Sequence, residues 1–248
     1  MCTAVVIPGK DGWYFASLRD EDPMRERALL PTICSDNNAS YLSPLDPAGN
    51  GTWIGVNEYG QVIILLNGGF KNHIKQPEYA QSRGIIVKEL LSDKMPVLAW
   101  LLMDLKDIEP FTLIVWAEKK LFQLVWDGQK KHRVLLSNKI PHIFSSATLY
   151  DEIYAGQRKG LFDAWVKTDR TVTALSLSIF FAKALPDTKN GFIINRNEKI
   201  RTLSYSFIEV KNEGSATFHY YDLSTNQNNI STMPLLTKNN ACSYTLNK

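Results

Sequence analysis

The chain has 248 residues, 44% of them hydrophobic and 21% charged, enough apolar side chain to bury a large core. Twenty-eight Lys and Arg face 25 Asp and Glu, and a net charge of only +3 argues against an extended nucleic-acid footprint or a membrane-surface tether. The apolar runs Val5–Ile7, Val62–Leu66 and Leu98–Met103 are far too short for a membrane span. No basic residue precedes Cys2–Ile7, and Lys10-Asp11 ends that run too early for a secretion signal. Three cysteines, Cys2, Cys34 and Cys242, cannot all pair within the chain. The expectation is a reducing, cytoplasmic location and no disulfide framework.

In chain order, Val5–Ile7 and Trp13–Leu18 flank the turn cluster Pro8-Gly9-Lys10-Asp11-Gly12 and predict a hairpin. Thr52–Asn57 and Gln61–Asn67, around Glu58-Tyr59-Gly60, predict a second. Two helices follow, over Glu78–Leu91 and, after Pro96, over Val97–Leu105. Phe111–Ala117 is β-branched and aromatic and reads as a strand. Leu121–Trp126 and Lys130–Leu136 flank Asp127-Gly128, a strong short-range hairpin signal. Two more helices are expected over Asp151–Lys167 and Thr171–Leu185, the second apolar enough to lie between layers. Strands return at Leu203–Val210 and Ala216–Asp222, joined through Asn212-Glu213-Gly214. Antiparallel hairpins separated by pairs of helices predict sheets covered by helices, an α+β layered architecture, and no composition break divides residues 1–248 into domains.

Metal and nucleotide chemistry find no support in the sequence. His73, His132, His142 and His219 are isolated, no Cys-x-x-Cys occurs, and no Gly-x-Gly-x-x-Gly or Walker loop is present. No cofactor is expected. The basic run Lys130-Lys131-His132-Arg133 directly follows a tight turn and reads as a solvated strand end, so no nucleic-acid partner is expected either.

Cys2 is the unusual residue. Removal of Met1 would leave it with a free α-amino group, which titrates near ~7.7–8.0, beside a thiol near ~8.5, so one residue would hold base and nucleophile. The plainer reading is a small, partly buried residue on a first strand. With the first turn centred near Lys10, the hairpin register puts Leu18 or Arg19 opposite Cys2. A guanidinium there would favour the thiolate. Asp20, Glu21 and Asp22 follow at once and could orient the arginine or the amine. In the second hairpin, Asn67 falls at a strand end opposite Thr52. Asn67 is followed by Gly68-Gly69, where a backbone can approach a ligand closely. Such an asparagine is either a turn former or a donor aimed at an oxyanion.

These residues carry a resemblance. Met1-Cys2-Thr3 with Leu18-Arg19-Asp20-Glu21 resembles the start of the NRDE family, also called the transport-and-Golgi-organisation family. Gly49-Asn50-Gly51-Thr52-Trp53-Ile54-Gly55-Val56 is similar to its Gly-Gly-Thr-Trp-Leu-Gly stretch, and Leu136-Ser137-Asn138, read as preceding a helix, to its Leu-Ser-Asn-Ser segment. Arg201–Ser206 is a weaker match. Leu18 and Asn50 depart from the family pattern. The same positions resemble choloylglycine hydrolases, the group of penicillin V acylase and bile salt hydrolase. That likeness implies an N-terminal-nucleophile hydrolase fold, a four-layer αββα sandwich of two antiparallel sheets between helix layers. It implies Cys2 as nucleophile, Arg19 with Asp22 or Asp20 beside it, and Asn67 and Asn138 near the oxyanion. Trp53, Gly68 and Arg201 are expected to bind substrate, with Arg201 and Arg158 both open as the late active-site arginine.

Two functions compete. The first is hydrolysis of a linear, non-peptide amide by Cys2, on a small-molecule amide or acyl substrate, with oligomerisation left open. The second is a non-catalytic protein that holds a lipid, acyl group or haem, with Trp13, Tyr14, Phe15 and Trp53 near the ligand. Cys2, Arg19 and both asparagines favour the enzyme, because a binding pocket needs no nucleophile.

Overall fold

The computed structural model describes residues 3–35, 38–168, 172–212 and 214–236. Met1, Cys2, Thr171, Glu213 and Cys242, which carried expectations above, lie outside them.

Fourteen strands and four helices follow the expected rhythm of strands, two helices, strands, two helices, strands among the described residues. β1 (Thr3–Pro8) and β2 (Gly12–Glu21) form the first hairpin, with Thr3 facing Leu18 and Val5 facing Ala16. β3 (Leu29–Ser35), β4 (Ser40–Leu45), β5 (Ile54–Asn57), β6 (Val62–Asn67), β7 (Phe111–Ala117), β8 (Lys120–Trp126) and β9 (Lys131–Leu136) make one antiparallel sheet in strict chain order. β10 (His142–Ser145), β1, β2, β12 (Ile200–Lys211), β13 (Ser215–Asp222) and β14 (Gln227–Pro234) make the other, with short β11 (Asn195–Arg196) paired to β12.

The two sheets share a core. Ala4, Val6, Phe15, Ile208 and Phe218 from one meet Ile54, Val56, Leu113 and Val115 from the other. β6 and β7 read as unbroken apolar runs because both their faces are covered. Over the outside of their sheet lie α1 (Arg83–Leu91) and α2 (Pro96–Leu102), which bury Ile86, Leu90 and Trp100 in that same core. Across the molecule, α3 (Glu152–Thr168) and α4 (Ala174–Lys183) pack Phe162, Leu177 and Phe181 on Val5, Ala16 and Phe207. The architecture is the αββα sandwich.

Three differences from the sequence reading have local causes. Residues 78–82 are not helical, because Ser82 caps α1 by accepting from the Gly84 N–H at 3.3 Å. Likewise α4 starts at Ala174, where Thr173 and Ser176 form a reciprocal capping box. In the second hairpin Ile54 faces Ile64, so Thr52 does not meet Asn67, whose ladder partner is Phe111. The Asn57 side-chain oxygen accepts from the Tyr59 and Gln61 N–H groups and pins that three-residue turn. No helix among the described residues is long and apolar enough to cross a membrane.

Candidate active site

β2 carries Arg19 into the space between the sheets and Asp20 to the opposite face. Arg19 is 3% exposed, and its guanidinium lies 4.7 Å over the Trp53 ring. It donates a long hydrogen bond from Nη2 to Asp46 Oδ1 at 3.5 Å and lies 3.9 Å from Glu21. Asp46 is committed more closely to Arg25, with Arg25 Nη2 at 2.7 Å and Nε at 3.0 Å. Burial pushes the Arg19 guanidinium down from its ordinary pKa, and Glu21 and Asp46 pull it partly back.

The Gly-Asn-Gly-Thr-Trp stretch explains how Trp53 arrives beneath Arg19. Asn50 is left-handed (φ 47°), a conformation asparagine tolerates better than most residues, which accounts for its standing where the family has glycine. At Gly51 a Cβ would meet the Gly84 carbonyl carbon at 2.4 Å, so the start of α1 rests directly on this segment. Thr52 N–H closes the contact on the Gly84 carbonyl at 3.1 Å. Trp53 itself is 3% exposed, and its indole N–H finds no acceptor among the described residues.

Asn67 ends β6 at the other side of the same cavity, a space of about 170 Å³ that it shares with Arg19 and Trp53. Asn67 also borders a second cavity of about 410 Å³, walled by Phe144, Ser145 and Ala147. The strand end is fixed by its backbone. Ser146 Oγ donates to the Asn67 carbonyl at 2.7 Å, and Thr112 Oγ1 to the Gly68 carbonyl at 3.0 Å. Gly68 has φ +84° and lies against Thr148, so a side chain there would be both strained and crowded.

Thr3, the residue after Cys2, sits between two strands, facing Leu18 on one side and Ser145 on the other. Its hydroxyl accepts from Arg158 Nη2. Arg158 is fully buried on α3, donates also to Ser145 Oγ at 3.2 Å and to the Gly191 carbonyl, and lies against Tyr150 and Phe192.

The remaining expected site residues divide. Asp20 is 3% exposed, accepts from Thr202 Oγ1 at 2.5 Å, and its second oxygen has no partner among the described residues. Asp22 is an exposed turn former just past β2, accepting from the Met24 N–H at 2.8 Å. Asn138 is not brought to Asn67. It follows β9, not a helix, and donates to the Lys119 carbonyl at 3.0 Å, whereas Asn67 pairs with the opposite end of β7. The length of β7 separates them by about 20 Å. The residue that reaches Asn67 is Ser146, just past the short strand β10, which carries no sequence signal, and ahead of α3. Arg201 is exposed near the start of β12, paired in the ladder with Glu21, and makes no hydrogen bond with Asn67 or Trp53. Trp13, Tyr14 and Phe15 also lie elsewhere, toward the Pro8 end of the first hairpin, where the Trp13 ring packs tilted against Trp116 with centroids 4.0 Å apart.

The layering defines an N-terminal-nucleophile hydrolase fold, and solved structures agree. The chain is similar to the Caenorhabditis elegans ortholog of N-acylethanolamine-hydrolyzing acid amidase, with a TM-score of 0.56 and 12% identity over 84% of this chain and 92% of that one. Two variants of conjugated bile acid hydrolase from Clostridium perfringens superpose similarly. The first, a cysteine-to-alanine mutant, has a TM-score of 0.57 at 13% identity over 94% of this chain and 92% of its own. The second gives 0.58 at 12% over 96% and 97%. No curated protein matches the chain. The family described as Transport and Golgi organisation 2 matches residues 1–232, and the chain belongs to it.

Proposed function

We propose that the protein is an amidohydrolase that cleaves a linear carbon–nitrogen amide bond with Cys2 as nucleophile once Met1 is removed. The observation that carries the reading is the placement of Thr3. A trans peptide keeps the Cα of residue 2 about 3.8 Å from that of Thr3. Thr3 is fixed between Leu18, the neighbour of Arg19, and Ser145, which walls the second cavity beside Asn67.

In this reading the Cys2 thiol passes its proton to its own α-amino group and attacks the amide carbon. Arg19, buried over Trp53 and only loosely held by Asp46 at 3.5 Å and Glu21 at 3.9 Å, stabilises the thiolate. The Asn67 carboxamide donates to the oxyanion, an interaction worth roughly 2.7–4 kcal/mol in comparable sites. The ammonium then protonates the leaving amine, and water releases the acyl group. Asp20, buried and half-satisfied, is the carboxylate we assign to holding the α-amino group, and Asp22 is left as a turn residue. Arg158 positions the start of β1 through Thr3.

The test is to measure hydrolysis of N-acyl amino acids, penicillin V and bile-salt conjugates by the wild type and by Cys2→Ser, with intact mass defining the N-terminus. The expected result is a protein lacking Met1, active on at least one of these amides, and nearly inactive as Cys2→Ser. Full retention of Met1 in native cells, or hydrolysis unchanged in Cys2→Ser, overturns the proposal.

A further inference from the structure

The cavity that Arg19, Trp53 and Asn67 border is also walled by residues that the hydrolytic reading does not use. Lys75 comes from the loop between β6 and α1, and Ser82 and Arg83 from the start of α1. At about 170 Å³ the space falls below the roughly 300–1,000 Å³ of a site for a whole small molecule. It is of a size for one functional group.

Its charge is one-sided. Arg19, Arg25, Lys75 and Arg83 line it against two carboxylates, Glu21 and Asp46. Asp46 is taken by Arg25 at 2.7 Å, and Arg83 by Glu109 at 3.0 Å. Glu21 stands 3.9 Å from Arg19 and 4.0 Å from Arg25, beyond hydrogen-bond reach of both. Burial pushes the Arg19 and Arg83 guanidinium pKa values down, and the neighbouring carboxylates oppose this only in part. Lys75 is exposed and makes no hydrogen bond or ion pair among the described residues. The Trp53 indole N–H adds a donor that is buried and has no acceptor. The start of α1, a helix of nine residues, adds the positive end of its dipole. The groups left wanting are all donors, and what the cavity lacks is a negatively charged acceptor.

We propose that this cavity binds one small oxyanion of the sulfate or phosphate type, held by Lys75, Arg19 and the Trp53 indole N–H at the start of α1. The donors come from four segments of chain, namely β2, the residues before β5, the loop before α1 and α1 itself. That suits a tetrahedral group better than a carboxylate, whose lone pairs lie in one plane. The group arrives either as a free ion or carried on a substrate, and only the second case rests on the hydrolase reading. Binding itself needs neither Cys2 nor turnover, so failure of the one reading leaves the other standing.

Isothermal titration of the full chain with potassium sulfate and potassium phosphate, at an ionic strength held constant with potassium chloride, tests the proposal. One ion should bind saturably per chain, and Cys2→Ser should bind it as the wild type does. Lys75→Glu, at an exposed loop position, replaces attraction by repulsion and should weaken binding by about tenfold. Trp53→Phe keeps a ring under Arg19 but loses the N–H, and should weaken binding by about threefold. Lys139→Glu makes the same change of charge on an exposed residue outside the cavity and should stay within about twofold of the wild type. No saturable binding beyond that of chloride, affinity unchanged in Lys75→Glu, or an equal loss in Lys139→Glu overturns the proposal. Kinetics on a hydrolysed amide then assigns the source. Sulfate that raises KM for a phosphate-bearing amide and not for its neutral counterpart marks a group carried by the substrate, whereas equal inhibition of both marks a free ion. No effect on either, with sulfate bound, overturns the placement beside Arg19.

Discussion

Replacing Gly51 by Ala adds one methyl group where the backbone of α1 already stands. The new Cβ would lie 2.4 Å from the Gly84 carbonyl carbon, 2.6 Å from its Cα and 2.8 Å from the Ile85 nitrogen, all of them main-chain atoms. An ordinary contact needs a separation about 1 Å larger, and no side chain can rotate to provide it. Either the start of α1 or the segment before β5 must move, at a cost of roughly 1–3 kcal/mol. For a chain of this size each kcal/mol lowers Tm by roughly 2–4 °C, so a fall of about 2–12 °C is expected. Gly160→Ala is the matched control. It makes the same chemical change inside α3, where an added Cβ meets nothing within 4 Å, and should stabilise by roughly 0.4–1 kcal/mol through lower unfolded-state entropy. Urea unfolding of both variants beside the wild type gives the two free energies. If Gly51→Ala lies within about 0.5 kcal/mol of the wild type, or if Gly160→Ala is the more destabilised, the packing argument is refuted.

Asn67→Ala should lower turnover by roughly 10²–10³ with little change in substrate affinity, whereas Asn138→Ala should leave it unchanged; steady-state kinetics on one hydrolysed amide separates the two asparagines. A limiting thiol alkylator near neutral pH should label Cys2 before Cys34 or Cys242, read by peptide mass, and equal labelling of all three would count against an activated thiolate. Burial pushes the Asp222 carboxyl up, but hydrogen bonds from Ser224 and Arg27 outweigh it and hold its pKa below the usual carboxylate range. Its contribution is therefore complete above the unfolded value of about 3.9 and is lost as pH falls through the folded one. Asp222→Asn should cost roughly 1–3 kcal/mol at neutral pH, with the gap to wild type closing in acid; a gap that is flat with pH contradicts the assignment.

The sequence revealed those elements whose signal is local, a marked turn or an apolar run within a few residues. The Asp127-Gly128 turn is legible because Gly128 supplies φ +97° and the Asp127 carboxylate accepts from the Gln129 and Lys130 N–H groups at 2.7 Å, all within four residues. β3, β10 and β14 are sheet edges with mixed exposure and have no apolar alternation to announce them. Leu136-Ser137-Asn138 reads as a segment leading into a helix, but β10 intervenes before α3. Arg19, Trp53 and Asn67 were legible because each belongs to a hairpin or a glycine-bearing motif. Arg158 carried only the weak signal of an arginine amid a helix, and its contact with Thr3 spans 155 positions of sequence. The proposed preference for Asp20 over Asp22 rests on where β2 ends, which alternation alone leaves uncertain by a residue or two.

The order of strands in the two sheets has a kinetic consequence. β3 to β9 join as a meander, each strand beside its predecessor, so that sheet can close by a series of short loops. The other sheet cannot. β1 waits for β10, and β2 waits for β12, its partner some 180 residues further on. During synthesis the first hairpin therefore emerges with both edges unpaired and an apolar face uncovered, a species prone to self-association. The meander should form early and offer that hairpin a surface to dock on, while its lateral pairing is completed only near the end of folding. Arg19 comes from one sheet and Trp53 and Asn67 from the other, so the cavity they border should be among the last parts of the protein to assemble.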